Sequence, residues 1–292
     1  MLIAVIPVKN EAPSLKGVIK NLQAVPVDLI IPVLNGCTDG SEEIIRTLPA
    51  TLVDPLVFAE PLGIDVPRAL GAARAWERGA ETVLFVDGDM DGPISSALKQ
   101  LVVAVRKQGA DLALTNCYPP EELARVSDLA DYLLSVRLNL NRALGLAGAI
   151  GTASPSHGPH AVSRRFLSSI PWRELAVPPV ALALAAKKGL KIRVGATIPH
   201  SRLGSPFRDA VHARRIAETI IGDCLEALNL IRGLPRQRRL HGVIYLGYHP
   251  ERRFDLLVPH IDVAEACRRQ LEKNPATGGE DVCGLCILAA RC

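Results

Sequence analysis

The chain has 292 residues, of which 48% are hydrophobic, 22% are charged and only 4% are aromatic, with a formal net charge of +4. This length fits one large or two small domains, and the composition is that of a globular protein with an aliphatic core, which excludes collagen-like and low-complexity chains. The longest apolar run, Leu175–Ala186, has 12 residues, whereas a membrane-spanning helix needs about 20, so no transmembrane segment is predicted.

The first 116 residues alternate between strand-like and helix-like patterns. Leu2–Val8 is a continuous apolar run, as expected of a parallel strand that is buried on both faces. Further strands are predicted at Val27–Leu34, Thr51–Phe58, Thr82–Val86 and Ala110–Thr115, and helices at 13–24, Glu42–Leu48, Ile64–Gly79 and Ile94–Gln108. The alternation predicts an α/β fold with a doubly wound, mostly parallel sheet, whose ligand crevice lies beyond the carboxyl ends of the strands.

After residue 116 the pattern changes. Helices are predicted at Glu121–Leu144, Val180–Gly189 and Phe207–Gly233, a strand at Lys191–Ile198, and a Gly/Ser/Pro-rich loop at Gly145–Gly158. We therefore divide the chain into a first half at 1–116, a second half of the same domain at 117–233, and a C-terminal extension at 234–292.

The charge is unevenly distributed between the two halves of the chain. Residues 1–150 carry a net charge of −5 and residues 151–292 a net charge of +9. This asymmetry indicates either a cation site in the first half and an anionic partner for the second, or a scatter of solvated surface charge. The basic segment Arg232–Arg239 lacks interleaved aromatic residues, so no nucleic-acid partner is predicted. It is either a solvated linker or a contact with anionic lipid headgroups.

The location of the protein is predicted from its first residues. They lack the basic flank and the cleavage site of a signal peptide, which predicts a cytoplasmic protein. A lipid contact at the basic segment would place it peripherally at the membrane.

Two acidic residues, Asp87 and Asp89, follow the apolar strand that ends at Val86. Carboxylates this close repel each other unless a cation lies beside them. Hard divalent ions such as Mg²⁺ or Mn²⁺ prefer carboxylate oxygens and fill their remaining positions with water and diphosphate. The pair therefore predicts a divalent-metal site at the edge of the sheet.

Three motifs in order resemble those of family 2 glycosyltransferases of the GT-A fold. Ile6–Glu11 looks like the opening strand of that family, and Asn35–Ser41 is similar to its second-strand loop, with Cys37 where Ser is usual. Asp87-Gly88-Asp89 stands at the Asp-x-Asp position. The resemblance covers about residues 2–95 and implies a GT-A fold and a metal-dependent glycosyltransferase that uses a nucleotide-diphospho-sugar.

The resemblance also implies roles for individual residues. Asp87 and Asp89 would be the catalytic pair, with Asp89 holding the Mg²⁺ or Mn²⁺ ion on the diphosphate and Asp87 contacting the ribose or the metal. Asp39 would accept hydrogen bonds from the base, and Arg68 would contact the diphosphate or remain an exposed helix cation. The nucleotide-sugar-binding residues implied are Pro7, Asn10, Glu11, Asp39, Arg68 and Asp87.

In the second half the likeness is weaker. The segment from Gly158 to Arg164 and Arg165 resembles the acceptor-side segment of the family, which makes Gly158 and Arg164 candidate acceptor residues. Many inverting members carry a Glu-Asp pair as general base where this chain has Val177-Pro178, and Glu174 is the nearest substitute.

Retaining GT-A enzymes such as glucosyl-3-phosphoglycerate synthases have a similar layout without that base. They place a His after the last core strand as a further metal ligand, and His200 fits that position. Arg202, two residues later, is a candidate contact for a phosphate-bearing or lipid-linked acceptor.

Two alternative functions remain open at this stage. A nucleotidyltransferase would bind nucleotide and metal on a similar sheet, but its Gly-rich, Arg/Lys-bearing first loop is absent from this sequence. A degenerate GT-A domain could act as a binding or scaffold module through its C-terminal extension. The cysteines Cys267, Cys283, Cys286 and Cys292 of that extension are read either as most of a metal site or as a reduced tail.

Overall fold

The computed structural model describes residues 1–205 and 209–262, which fold around one central sheet. The strands are β1 (Leu2–Val8), β2 (Leu29–Asn35), β3 (Leu56–Phe58), β4 (Thr82–Phe85), β5 (Leu112–Asn116), β6 (His160–Ser163), β7 (Ile192–Thr197), β8 (Arg239–Leu240) and β9 (Val243–Ile244). The α-helices are α1 (Ala12–Gln23), α2 (Ser41–Arg46), α3 (Val66–Glu77), α4 (Ser95–Arg106), α5 (Pro120–Leu123), α6 (Asp128–Ala143), α7 (Ala147–Ile150), α8 (Arg164–Ser169), α9 (Pro178–Lys187) and α10 (Ala210–Ile231). Short 3-10 helices lie at Trp172–Ala176, His200–Arg202 and His249–Glu251, and residues 254–262 are helical.

Within the described residues, seven strands form the central sheet in the order β3-β2-β1-β4-β6-β5-β7. β1 pairs in parallel with β2 and β4, β2 with β3, and β5 with β7, while β6 runs antiparallel to β4 and β5. The predicted doubly wound, mostly parallel sheet is confirmed. The sequence did not indicate β6, because four residues after a Gly/Pro turn carry too little periodicity to be recognised as a strand.

The continuous apolar run of β1 is buried on both faces of the sheet, as predicted. Ile3 and Val5 pack into the layer that contains α3, whereas Leu2 and Ile6 pack into the opposite layer with α1 and α4. α3 approaches β1 closely at Gly71, where a Cβ atom would collide with the Val5 side chain. This close packing fixes the start of α3 beside the end of β1.

The second half contains helices that the sequence did not indicate, since α7 lies within the predicted loop Gly145–Gly158 and α8 follows β6. The stretch Glu121–Leu144 forms two helices, α5 and α6, rather than one. Ser127 separates them, because its hydroxyl accepts a hydrogen bond from the Ala130 N–H (3.3 Å) and so caps α6.

The described part of the C-terminal extension packs on the first half of the chain. β8 and β9 form a hairpin, and the Arg253 N–H donates to the Leu62 carbonyl oxygen (2.9 Å) in the loop before α3. Leu257 and Ile261 are buried in the same layer as α3. Residues 249–262 therefore support the loop from which α3 starts.

Two further predictions concern the C-terminal cysteines and membrane-spanning helices. Cys267, Cys283, Cys286 and Cys292 lie outside the described residues. Across residues 1–205 and 209–262, no helix combines the length and the apolar character that crossing a membrane requires.

Candidate active site

The loops after β1 and β4 lie side by side at the carboxyl edge of the sheet. The Gly88 N–H donates to the Pro7 carbonyl oxygen (3.0 Å). A Cβ atom on Gly88 would lie 3.2 Å from Cγ of Glu11, so the Glu11 side chain also packs against this turn. Asp87 and Asp89 therefore flank the point at which β1 ends, as the parallel pairing of β1 and β4 requires.

The loop after β2 is joined to the loop after β1 by side-chain hydrogen bonds. Asn10 Oδ1 accepts from the Thr38 N–H (2.8 Å), and Asp39 accepts from the Ala12 N–H (2.9 Å) and from Ser41 Oγ (2.6 Å). Slight burial acts to raise the pKa of Asp39, but its hydrogen bonds outweigh burial and lower the pKa. The exposed carboxylate is thus ionised at the rim of the cleft, and its contact with a base stays a prediction.

Arg68, in the first turn of α3, is held between two carboxylates. Its Nη2 donates to both oxygens of Asp87 (2.6 and 2.7 Å), and its Nη1 pairs with Asp65. Burial acts to lower the pKa of Arg68, but the charges of Asp87 and Asp65 raise it. The side chain is only 12% exposed, so the alternative of an exposed helix cation is wrong. Its contact with a diphosphate stays a prediction.

The acidic pair favours an added positive charge. Burial raises the pKa of Asp87, the Arg68 guanidinium opposes this, and the neighbouring Asp89 carboxylate raises the pKa further. Both aspartates are half-buried. A cation placed between them would relieve the repulsion that raises the pKa.

His200 lies in the turn after β7, next to the turn that follows Asp89. The Gly92 N–H donates to the Leu203 carbonyl oxygen (3.0 Å), which joins the two turns. The His200 N–H itself donates to the Cys117 carbonyl oxygen (2.9 Å) at the end of β5. The predicted metal residues thus sit on two loops that are in direct contact.

Three aromatic rings form a cluster around His200. Tyr118 stacks on His200 and on His157, with ring centroids 5.6 Å and 5.4 Å apart. Burial lowers the pKa of His200, Glu122 opposes this, and the charge of Arg137 lowers the pKa further. The imidazole of His200 is therefore neutral at pH 7, the form in which histidine binds metals.

Two of the three predicted acceptor residues lie near this cluster. Gly158 has a φ of +76°, and a Cβ atom there would lie 2.6 Å from Sγ of Cys117, so the tight turn requires glycine. Arg202 is exposed, and its carbonyl oxygen approaches Gly92 so closely that no side chain fits there.

The structure does not bring Arg164 to the cleft. Because β6 runs antiparallel to β4, Ser163 pairs with Thr82 at the start of β4, away from the acidic pair. The Arg164 guanidinium lies over the Trp76 ring (3.9 Å), and its Nη1 donates to the Ala80 carbonyl oxygen (3.0 Å). The geometry gives Arg164 a structural contact with α3 instead of the predicted acceptor role.

A line of alternating carboxylates and guanidinium groups, here called the charge ladder, connects the acidic pair to the C-terminal extension. The ladder runs through Asp87, Arg68, Asp65, Arg252, Asp223, Arg238, Glu226, Arg236 and Glu174. Arg252 is fully buried and donates to Asp65 (2.9 Å) and to both oxygens of Asp223 (2.7 Å each).

The sequence could not reveal the ladder, because Asp65 and Arg252 are 187 residues apart. Glu174, the substitute for a general base in the sequence analysis, lies at its far end and accepts from Arg236 (2.8 Å).

A second acidic cluster lies on the ladder. The ligand atoms of Asp223, Glu226 and His249 lie within 4.8 Å of one another. Nη1 of Arg238 bonds to Asp223 (2.6 Å) and to Glu226 (2.8 Å), so a guanidinium already neutralises this cluster. The cluster is therefore an ion-pair network rather than a second cation site.

The lowered pKa of His160, in β6, predicts that the free energy of unfolding depends on pH. Burial and the charge of Arg68 lower the pKa of His160 to about 3, against a weaker opposing hydrogen bond from the Gly158 backbone. Between that value and the ordinary histidine pKa near 6.5, the unfolded chain binds a proton that the folded protein does not. The free energy of unfolding should therefore fall as the pH falls, by about 1.4 kcal/mol per pH unit for this group.

Urea unfolding between pH 6 and pH 5 measures this slope. His160→Phe keeps a ring against Phe85, whose centroid lies 4.9 Å from that of His160. In this variant the free energy of unfolding should change less steeply with pH, by about 1.4 kcal/mol per pH unit. Equal slopes for the variant and the wild type would show that His160 does not control the pH dependence.

Comparison with solved structures identifies the fold. Glucosyl-3-phosphoglycerate synthase from Mycobacterium tuberculosis in complex with phosphoglyceric acid matches with a TM-score of 0.58 and 20% identity, over 80% of this chain and 81% of that chain. The chain has the GT-A fold. The complex of the same enzyme with Mn²⁺, uridine-diphosphate-glucose and phosphoglyceric acid gives a TM-score of 0.55 and 22% identity, over 80% of each chain. The GT-A fold implied by the three motifs is confirmed.

Comparisons at the level of sequence gave no match. No protein-family model and no curated protein matches the chain. At about 20% identity the structural likeness carries the GT-A fold alone, so function is argued from the site itself.

Proposed function

We propose that the protein is a metal-dependent glycosyltransferase that moves a sugar from a nucleotide-diphosphate donor to an acceptor. One observation carries this proposal. The GT-A sheet places Asp87-Gly88-Asp89 directly against Pro7 and Glu11 at the carboxyl ends of β1 and β4, where such sheets bind their ligands.

Asp89 and His200 would hold the divalent ion, with Asp87 beside it. Two carboxylates and a neutral imidazole are a donor set that suits Mg²⁺ or Mn²⁺. Burial is the main cause of the raised pKa of Asp87, and the neighbouring Asp89 carboxylate adds to it despite the Arg68 guanidinium, so a cation beside the pair would lower that pKa. When bound, the ion neutralises the charge that grows on the departing nucleoside diphosphate.

The remaining donor-site residues have separate tasks in this proposal. Asn10 and Glu11 would line the nucleoside pocket with Pro7, and the ionised Asp39 would accept hydrogen bonds from the base. Arg68 holds Asp87 through two hydrogen bonds, so it orients that carboxylate and lies beside the diphosphate.

The acceptor is proposed to bear a phosphate or to be linked to a lipid. The charge of +9 on residues 151–292 and the exposed Arg202 support an anionic acceptor. The structural neighbour was solved with phosphoglyceric acid, a phosphate-bearing molecule. Val177 and Pro178 are buried and carry no carboxylate, so this part of the chain supplies no general base. The lipid-linked form of the acceptor would keep the protein peripheral to a membrane.

A transfer and hydrolysis assay with a panel of nucleotide sugars, with and without Mn²⁺, tests the proposal. We expect release of a nucleoside diphosphate from at least one donor, dependent on the metal. Binding of a nucleotide sugar without any turnover, across acceptors with and without phosphate, would favour the binding-module alternative. Absence of both binding and turnover across the panel would refute the proposed function.

A further inference from the structure

Arg137, in the middle of α6, is a buried cation without a partner. Its residue surface is only 5% exposed, and no hydrogen bond or ion pair joins it to another residue within 1–205 and 209–262. Nε of Arg137 is fully buried and unpartnered. The other two buried arginines of the described chain, Arg238 and Arg252, each contact at least one carboxylate.

Such an arrangement is costly for the fold. Buried charges in proteins are normally paired, because transfer out of water costs far more than any apolar contact returns. Burial lowers the pKa of Arg137, but a guanidinium remains protonated in proteins. The fold therefore maintains a positive charge that no acidic side chain within 1–205 and 209–262 neutralises.

Arg137 lines a pocket together with residues of β5 and of the loop before β6. The other lining residues are Thr115, Cys117, Tyr118, Thr152, Ala153, Ser154 and His157. His157 contributes a second buried and unpartnered polar atom, Nε2. Asn141, one turn after Arg137, donates to the carbonyl oxygens of Gly151 (2.8 Å) and Ala153 (3.0 Å) and so fixes the pocket wall to α6.

The described part of the chain supplies no anion to this pocket. Burial raises the pKa of Cys117 and of Cys224 to about 12 in each case, so neither thiol ionises at pH 7. Burial also raises the pKa of Tyr118. The nearby carboxylate of Glu122 accepts from the N–H (2.8 Å) and from Oγ (3.1 Å) of Ser201 instead.

We propose that Arg137 and His157 form a binding site for a small oxyanion, either a carboxylate or a phosphate group. A guanidinium presents paired N–H donors that match both groups, and His157, in the loop before β6, adds the polar atom Nε2. The space between the lining side chains is too small to hold a water molecule in this conformation, so we expect a lining side chain to move when the anion binds.

The position of the pocket gives the anion a place in the reaction. The His157 and His200 ring centroids are 5.1 Å apart, and Tyr118 stacks on both rings, so the anion site adjoins the predicted metal residue. If the protein catalyses the transfer proposed above, the anion is a carboxylate or phosphate group of the acceptor. Only this assignment to the acceptor rests on the proposed function, and the existence of the anion site does not.

Thermal unfolding of three proteins tests the site in the absence of metal and nucleotide sugar. They are the wild type, Arg137→Met, and Arg142→Met as a matched control on the exposed face of the same helix. Inorganic phosphate, glycerol 3-phosphate and glycerate are the ligands, and chloride at equal ionic strength is the reference. Glycerol 3-phosphate and glycerate distinguish a phosphate from a carboxylate.

We expect the melting temperature of the wild type and of Arg142→Met to rise by about 2–4 °C at tenfold excess over Kd with one of these anions. Arg137→Met should not respond to the anions and should melt above the wild type in chloride, because it removes an unpaired buried charge. A wild type that responds to none of the three anions overturns the proposal.

The proposal is also overturned if Arg137→Met responds to the anions like the wild type. It is likewise overturned if Arg137→Met melts below the wild type or does not fold. Because metal and nucleotide sugar are omitted, failure here leaves the proposed transfer intact, and failure of the transfer assay leaves this site intact.

Discussion

Replacing Arg252 by Leu should lower the free energy of unfolding by about 3–5 kcal/mol, the range for breaking a buried ion pair. The substitution leaves Asp223 with one guanidinium partner instead of two and leaves Asp65 with Arg68 alone. Arg252 is fully buried, so water cannot replace the lost hydrogen bonds. Urea unfolding monitored by circular dichroism measures the change.

The adjacent residue provides a matched control. Arg253 pairs with Glu60 (2.9 Å) and Asp255 (2.7 Å), both of which are well exposed. Its replacement by Leu should cost less than about 1 kcal/mol, as is typical of surface ion pairs. If the two variants were equally stable, the charge ladder would not hold the extension to the first half.

Asp89→Asn should reduce metal-dependent transfer by at least about 100-fold, the scale seen when a group that stabilises transition-state charge is removed. The amide keeps the shape of the side chain but loses the charge that would hold the ion on the diphosphate. The rate of nucleoside diphosphate release at saturating Mn²⁺ measures the loss.

Asp91→Asn is the control for this prediction. Asp91 lies in the same turn, is exposed, and has no proposed contact with the metal. Asp91→Asn should retain activity within about twofold of the wild type, because the amide keeps the shape of a side chain that packs against Gly17 and Gly204. Equal losses in the two variants would indicate a general disturbance of the turn rather than the removal of a metal ligand.

The sequence predicted most of the donor half of the fold, because β1 and β2 are mostly apolar strands of seven residues each, whereas β3 is only Leu56–Phe58 within the predicted strand Thr51–Phe58. β1 is recognisable as a strand buried on both faces from Leu2–Val8 alone, and the acidic turn follows directly from the end of β4. The parallel order then requires that the loops after β1, β2 and β4 meet, as the hydrogen bonds of Gly88 and Asp39 show.

The contacts that the sequence did not predict depend on residues far apart in the chain. β6 has only four residues, and its antiparallel direction turns Arg164 away from the cleft. Arg137 looks like an ordinary surface cation on an amphipathic helix, and only the packing of α6 against the loop before β6 shows that it is buried without a partner.

A calorimetric titration with Mn²⁺ in the presence of uridine diphosphate tests whether Asp89 holds a divalent ion at the end of β4. Three proteins are needed: the wild type, Asp89→Asn, and His249→Gln, which alters the second acidic cluster. We expect the wild type and His249→Gln to bind the ion with the same Kd, and Asp89→Asn not to bind it. Unchanged binding by Asp89→Asn, or loss of binding in His249→Gln alone, would contradict a metal site at the end of β4.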